Sequence, residues 1–359
     1  MLPTFLLSFA ETTQPLIPPV TWAYAAFCVM VFFFLALDLG VFHRKAHAVT
    51  AKEAGIWTTV WVSMSLLFSL VVYLIYQNHW LDIGLNVPVI GKPGQTMTVD
   101  GRGAVGLYLA GYIVELSLSV DNLFVIALIF QFFAIPAKYQ HRVLFWGILG
   151  ALLMRGIMIG VGSVLINKVG WITYVFGGFL ILTALKMAFT GHDDPNFEQN
   201  LFVRLVRKFV LVTPQYDGQR FLTRVTQPDG AVRRAATPLM LALVVVEFTD
   251  LVFAVDSIPA IFAITADPFI VVTSNVFAIL GLRSMFFLLA NMMGKFRFLK
   301  PALVVILMFV GVKMLLVHTP YKISTPISLS VIITVLIAGV AASILIPVKS
   351  KPSAPADHS

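Results

Sequence analysis

The chain alternates between long apolar runs and short polar connections. A transmembrane helix needs about 20 consecutive, mostly apolar residues. Nine runs reach that length, at approximately residues 20–42, 55–77, 104–132, 142–166, 170–190, 238–264, 269–292, 301–318 and 326–347. The pattern therefore predicts an all-α polytopic membrane protein with about nine transmembrane helices.

The composition agrees with a membrane protein and excludes several other classes. Of the 359 residues, 59% are hydrophobic and only 12% are charged, whereas soluble domains carry about 25% charged residues. The net charge of +8 does not indicate nucleic-acid binding, because the basic residues lie in short connections and form no basic face or motif. The single cysteine, Cys28, excludes a disulfide framework and a thiolate metal site.

The basic residues of the connections predict the orientation in the membrane. If the connection between the first two runs is cytoplasmic, seventeen Lys and Arg residues fall on that side and four on the other. Cytoplasmic connections carry the excess of Lys and Arg. The N-terminus is therefore predicted outside and the C-terminus inside, which requires an odd number of spans.

Two apolar runs contain carboxylates near their middle. A charged side chain there costs several kcal/mol unless it is protonated, paired or bound to a cation, so it indicates a functional site. The five acids are Glu115, Asp121, Glu247, Asp250 and Asp256. We therefore predict a cation pathway.

The second acidic run repeats the first at identical spacing. An ungapped alignment pairs Glu115 with Asp250, Asp121 with Asp256, and Asn122 with Ser257. Further matches join Ile148-Leu149-Gly150 to Ile279-Leu280-Gly281, and Lys186-Met187 to Lys313-Met314. Each unit contains three spans, so the second unit enters the membrane from the opposite side. Such inverted repeats are a recurrent transporter design with a midplane site at the repeat interface.

The repeat divides the chain into five segments. Residues 1–103 form a two-helix segment with an outer loop at 78–103, residues 104–190 the first repeat and residues 238–318 the second, inverted repeat. Between the repeats lies a cytoplasmic loop, 191–237, with a predicted β-hairpin that turns at Gln227–Gly230. This loop is either a solvated linker whose basic residues help to set the membrane orientation, or a regulatory element that binds a partner. Residues 319–359 form the last helix and a disordered cytoplasmic tail.

The candidate ligands near the acids are all oxygen atoms. They include the Asn122 amide, the hydroxyls of Ser117 and Ser119, and the carbonyl of Val255, which Pro259 leaves without its helical donor. Neither acidic segment contains His or Cys. This set suits hard divalent cations such as Mn²⁺, Mg²⁺ or Ca²⁺.

A straight helix cannot direct all of these acids to one point. At about 100° per residue, Glu115, Ser119 and Asn122 share a stripe, while Asp121 and Ser117 lie roughly 120° away. Either the two acidic helices cross so that Asp121 faces Asp256, or the second helix is locally broken at Pro259.

Basic residues within the spans allow a second interpretation of the acids. Arg155 and Arg283 lie mid-span, where they either hold the acids apart, act as gates, or serve as structural counter-ions. In the purely structural interpretation, the acids only pair with such buried bases. Asp38, near the cytoplasmic end of the first run, either balances Arg44 and Lys45 or lines an entrance.

The acidic segments, together with Gln140–Gly147 and Thr273–Ser284, resemble the TerC family of integral membrane proteins, and within it the Alx branch. The resemblance covers most of residues 20–347. It implies an inner-membrane protein of the LysE-type transporter group, and Alx-like members are associated with manganese export. The metal-binding positions of the family fall on Glu115, Asp121, Asn122, Glu247, Asp250, Asp256 and Ser257.

The sequence thus predicts an inner-membrane exporter of divalent cations, manganese foremost, by alternating access and with proton antiport as a further hypothesis. The expected partners are the cation and the lipid bilayer, and no cofactor is expected. The alternative is a membrane scaffold for tellurium or metal-stress resistance that acts through loop 191–237. An enzyme is not predicted, because His79, His192 and His318 belong to no visible nucleophile–base arrangement.

Overall fold

The fold was analysed in a computed structural model that describes residues 18–37, 50–92, 94–169, 171–189, 211–226, 232–290 and 298–346. Asp38 and loop residues 191–210 lie outside these ranges, and so does the tail from 347 onward. At some helical positions only the backbone is described, and Asp121 and Asp256 are two of these.

Helices account for most of the described chain. They are α1 (Val20–Leu37), α2 (Ala51–Gln77), α3 (Gly101–Phe132), α4 (Ala137–Lys168), α5 (Ile172–Phe189), α6 (Pro238–Phe262), α7 (Pro268–Ala290), α8 (Leu299–Leu315) and α9 (Thr325–Leu345). Each coincides with one of the nine predicted apolar runs, so the helical fold class is confirmed.

Length and composition alone qualify six of the described helices as membrane spans, namely α1, α2, α4, α5, α6 and α7. The apolar parts of α8 and α9 are shorter, Pro301–Leu315 and Ser330–Ser343. Nine crossings therefore remain a prediction. Polar caps set some helix starts: Asp100 accepts a hydrogen bond from the Gly103 N–H (2.9 Å) at the start of α3.

Packing between the two three-helix units is reciprocal. The first helix of each unit packs on the second helix of the other, α3 on α7 and α6 on α4. Like helices also meet, because α3 contacts α6, α4 contacts α7, and α5 packs closely on α8. A twofold pseudosymmetry between the units would produce such a pairing, and the inverted repeat stays a prediction.

α6 continues through Pro259 without a break. The helix ends at Phe262, and the Ala263 N–H donates to the Pro259 carbonyl at 3.0 Å. The alternative in which the helix is broken at Pro259 is therefore wrong for the described backbone. Proline removes one donor but can be tolerated in a membrane helix that is supported by its neighbours.

The hairpin predicted between the two repeats is present as a pair of strands, while its turn at Gln227–Gly230 lies outside the described residues. The segment that contains it packs against the helices. Strands β3 (Leu222–Thr226) and β4 (Val232–Ala236) pair antiparallel with Arg224 opposite Arg234. Strands β1 (Val87–Pro88) and β2 (Thr96–Met97) form a smaller pair in the connection between α2 and α3. The Tyr216 hydroxyl donates to the Phe133 carbonyl at 2.6 Å, and Arg142 lies over the Phe221 ring. Residues 211–226 and 232–237 are thus a docked element rather than a free linker.

Candidate cation site

A buried arginine links the two repeats at their acidic helices. The Arg155 guanidinium, on α4, forms an ion pair with Glu115 of α3 and a second one with Asp250 of α6. Its Nη2 lies 2.9 Å from Asp250 Oδ1, and its Nε lies 3.3 Å from Asp250 Oδ2. Glu115 and Asp250 are the positions that the repeat alignment pairs, so one cation contacts both acids of an aligned pair.

This ion-pair group is almost fully removed from solvent. The side chains of Glu115 and Arg155 are each 1% exposed, and that of Asp250 is 13% exposed. Burying a charge is tolerated only when it is paired and hydrogen-bonded. Asp250 is the more accessible of the two acids.

Two polar side chains complete the surroundings of Glu115. Asn275 on α7 donates its Nδ2–H to Glu115 Oε2 at 2.9 Å, and the Ser119 hydroxyl donates to Oε1 at 3.3 Å. Glu115 and Ser119 are four residues apart, so the helical stripe predicted from the sequence brings them together. Four helices of both repeats, α3, α4, α6 and α7, therefore contribute to one polar group.

Glu247 is positioned by a glycine of the neighbouring helix. It precedes Asp250 by three residues, which places both acids on the same face of α6. A Cβ atom added at Gly150 of α4 would overlap the Glu247 carboxylate. The glycine of the repeated Ile-Leu-Gly motif thus provides the space that this acid occupies.

The remaining predicted residues are partly accounted for. Asn122, Ser117 and Ser257 are buried, and Ser117 donates to the Ile113 carbonyl of its own helix. The Ser257 hydroxyl is buried without a hydrogen-bond partner among the described residues. The Val255 side chain is exposed, so only its carbonyl could take part.

The full set of predicted ligands is not seen to converge. Among the side chains that the structure describes, no three acidic, His or Cys residues form a group able to hold a metal ion. The side chains of Asp121 and Asp256 lie outside this description, and so does Asp38. Arg283 is buried on α7, and its proposed gating role stays a prediction.

Sequence reasoning missed Asn275 and Gly150. Asn275 lies in the polar triplet Thr273-Ser274-Asn275 within an otherwise apolar run. That triplet was an available signal, because a buried amide requires a polar partner.

Sequence reasoning also missed Asp267, a buried acid at the α6–α7 connection. Asp267 accepts a hydrogen bond from the Tyr76 hydroxyl (2.6 Å) and one from the Phe269 N–H (2.9 Å). Burial raises the pKa of the Asp267 carboxyl, and these hydrogen bonds only partly offset the rise. We assign Asp267 a structural role, because it caps α7 and joins that helix to α2.

Comparison with known proteins places the chain in a family. The model of the integral membrane protein TerC family matches residues 101–351. The chain belongs to the TerC family. It is therefore a multi-pass integral membrane protein, as the resemblance in its acidic segments implied. No solved structure matches it.

Several relatives of this TerC family member align over nearly their whole length. An uncharacterised membrane protein of Myxococcus xanthus is 46% identical over 347 residues, which cover 97% of this chain and 98% of the relative. Alx of Escherichia coli K12, provisionally named a membrane-bound redox modulator, is 43% identical over 320 residues, covering 89% and 92%. A membrane protein of Rickettsia bellii is 38% identical over 323 residues, covering 90% and 97%.

The ion-pair group makes a prediction about stability. Arg155→Gln leaves two buried carboxylates without their counter-ion, and removing one partner of a buried pair costs about 3–5 kcal/mol. We expect a large drop in the thermal unfolding midpoint of detergent-solubilised protein. Adding Glu115→Gln and Asp250→Asn to this variant should recover part of the loss.

The control for this prediction is Arg102→Gln, because Arg102 is exposed near the start of α3. Its midpoint should remain that of the unmodified protein. An Arg155→Gln variant as stable as the Arg102→Gln variant would contradict the assignment of Arg155 as the buried counter-ion.

Proposed function

We propose that this TerC family member exports divalent cations, manganese foremost, across the inner membrane by alternating access. The observation that carries the proposal is the guanidinium of Arg155 held between Glu115 and Asp250. A positive group is thus accommodated between symmetry-related acids, where the two repeats meet. Inverted-repeat transporters bind their substrates at such interfaces.

The chemistry of the neighbouring groups favours a hard cation. The atoms available near Arg155 are carboxylate, amide and hydroxyl oxygens from Glu115, Asp250, Asn275 and Ser119. Oxygen ligands of this kind bind Mn²⁺, Mg²⁺ and Ca²⁺, whereas Cu⁺ and Zn²⁺ favour sulfur and nitrogen. Asp121, Asn122, Glu247, Asp256 and Ser257 are the further proposed ligands.

Arg155 has a specific part in this mechanism. With no transported ion bound, its guanidinium neutralises the acids that the ion would bind. Two buried carboxylates without a cation would oppose any rearrangement of the repeats, because unpaired charge in the membrane is costly. Cation binding and Arg155 pairing therefore compete for Glu115 and Asp250, and release of the ion restores the ion pairs.

Coupling and orientation complete the proposal. Proton antiport is consistent with buried carboxylates, since burial disfavours their charged form and allows protons to compete with metal. The excess of Lys and Arg on one side supports an N-terminus outside and a C-terminus inside. In that orientation the hairpin β3–β4 is cytoplasmic and the β1–β2 loop faces outward.

A second candidate function is a membrane scaffold or modulator, which the docked hairpin and the provisional name of Alx favour. The exposed residues Arg224 and Arg234 of the hairpin would then bind a protein partner. Thiol redox chemistry within one chain would require two cysteines, and this chain has only Cys28. We favour transport because a scaffold does not require paired acids inside the membrane.

The central prediction concerns the symmetric pair of acids. Asp121→Asn and Asp256→Asn should each abolish Mn²⁺ flux in proteoliposomes, because each removes a charged ligand without removing bulk. Flux should be compared for vesicles loaded with Mn²⁺, Ca²⁺, Mg²⁺ or Zn²⁺, with internal pH followed to detect proton counterflow. Unchanged size-exclusion profiles would show that folding is retained.

Full Mn²⁺ flux in both variants would contradict the site. The scaffold alternative is tested in the same assay with an Arg224→Glu, Arg234→Glu variant. Transport predicts unchanged flux, since both residues are exposed on the hairpin. The scaffold would be supported if the purified protein transports no ion and the Arg224→Glu, Arg234→Glu variant loses the cellular phenotype.

A second prediction uses the glycine beneath Glu247. Gly150→Ala should displace the Glu247 carboxylate and weaken Mn²⁺ binding by about 10-fold or more, as disturbed ligand positioning does in other metal sites. Gly156→Ala on the same helix is the matched control, because a Cβ there meets nothing within 4 Å. Mn²⁺ affinity is measured by calorimetry. Equal affinities in the two variants would contradict the assignment of Glu247 as a ligand.

A further inference from the structure

Asn275 is a fully buried amide with only one of its two ends in use. The residue is 0% exposed, in the middle of α7. Its Nδ2 donates to Glu115 Oε2 at 2.9 Å, whereas no hydrogen-bond donor of the described residues reaches its Oδ1. A buried acceptor left unpaired costs about 1–3 kcal/mol, so it requires an explanation.

Chemistry fixes which end of the amide faces Glu115. Carbonyl and amino ends of asparagine are assigned from their hydrogen bonds. Glu115 accepts from the Arg155 guanidinium, and a carboxylate in an ion pair offers only acceptors, so the amino group faces it. The orphaned atom is therefore the carbonyl oxygen, and a reversed amide would leave two acceptors in contact.

The orphaned oxygen lies at the site and not elsewhere in the bundle. Oδ1 and Nδ2 belong to one planar amide group, so Oδ1 is bonded to the same carbon as the atom that contacts Glu115. The Ser257 hydroxyl, on the α6 stripe that carries Asp250, is likewise buried and without a partner among the described residues. Carbonyl, hydroxyl and carboxylate oxygens are the ligand types that hard divalent cations bind.

We infer that Asn275 is a direct ligand of the transported cation and supplies a neutral oxygen through its Oδ1. This inference rests on the proposed function and adds to it a residue from the second helix of the inverted repeat. When Arg155 gives way to the ion, Asn275 Nδ2 keeps Glu115 oriented while Oδ1 coordinates. A neutral oxygen from Asn275 adds a ligand without adding negative charge.

The test replaces the oxygen with a soft ligand. Asn275→Cys, in a Cys28→Ser background, presents a thiolate, which favours Cd²⁺ over Mn²⁺. If residue 275 contacts the ion, the ratio of Cd²⁺ to Mn²⁺ affinity should rise by about tenfold or more over the Cys28→Ser parent. Calorimetry on the full-length, detergent-solubilised protein measures both affinities, and a thiolate–cadmium absorption band in the ultraviolet reports the bond itself.

Thr273→Cys in the same background is the matched control. Thr273 is equally buried, its hydroxyl is already used by the Phe269 carbonyl (2.7 Å), and its side chain lies about 200° around the helix from Asn275. Its Cd²⁺ to Mn²⁺ ratio should stay at the parent value. Asn275→Leu, which offers no ligand, should weaken Mn²⁺ binding by about 10–100-fold.

The outcomes separate the inference from the proposed function. Suppose that the parent binds Mn²⁺ but that the Asn275→Cys and Thr273→Cys variants have the same ratio of Cd²⁺ to Mn²⁺ affinity. Asn275 is then only a positioning residue, and the inference is overturned. If the parent binds no divalent cation, the proposed function fails and the inference fails with it. Should Asn275→Leu not fold, the metal ratio of the cysteine variant, whose side chain is smaller than asparagine, still decides whether residue 275 contacts the ion.

Discussion

The ion pairs of Arg155 with Glu115 and Asp250 are the interaction on which the rest of this structure depends. Carboxylates inside a membrane are tolerated only when their charge is compensated. Here a single guanidinium compensates two acids that come from different repeats. The pairing of α3 with α7 and of α4 with α6 brings these groups together, so the helix packing and the electrostatics depend on each other.

The two repeats share the acids that contact Arg155, but only one of them carries the arginine. Glu115 and Asp250 occupy equivalent positions. Extending the Ile-Leu-Gly alignment, however, places Phe286 of α7 opposite Arg155 of α4. One repeat therefore supplies the counter-ion for both. A transporter that alternates between two mirror-related arrangements needs some difference between its halves to favour one of them, and this asymmetry in charge provides it under the proposed mechanism.

One feature of the site was accessible to sequence reasoning, one was left open, and two were not predicted. The spacing of Glu115 and Ser119 fixed their common stripe, because four residues make about one helical turn. The sequence did not decide whether Arg155 pairs with both acids, because its mid-span position was equally consistent with a gate, a group that holds the acids apart, or a structural counter-ion. The roles of Asn275 and Gly150 were not predicted because they arise from contacts with neighbouring helices. The break expected at Pro259 is absent, since neighbouring helices support α6 on both sides of the proline.

By itself the sequence determined the number and approximate limits of the apolar segments, the hairpin between the two repeats, and the repeated acidic motif. These are local properties: hydropathy, turn residues and spacing along one helix. Only the tertiary structure decided which acid meets which base, that Asn275 keeps an unpaired oxygen at the site, and that Tyr216 and Phe221, just before the hairpin, contact the α3–α4 region. The physical reason is that a contact between two helices depends on their crossing angle and on their rotation about their own axes. Packing against many neighbours sets both, so the sequence of a single segment does not determine them.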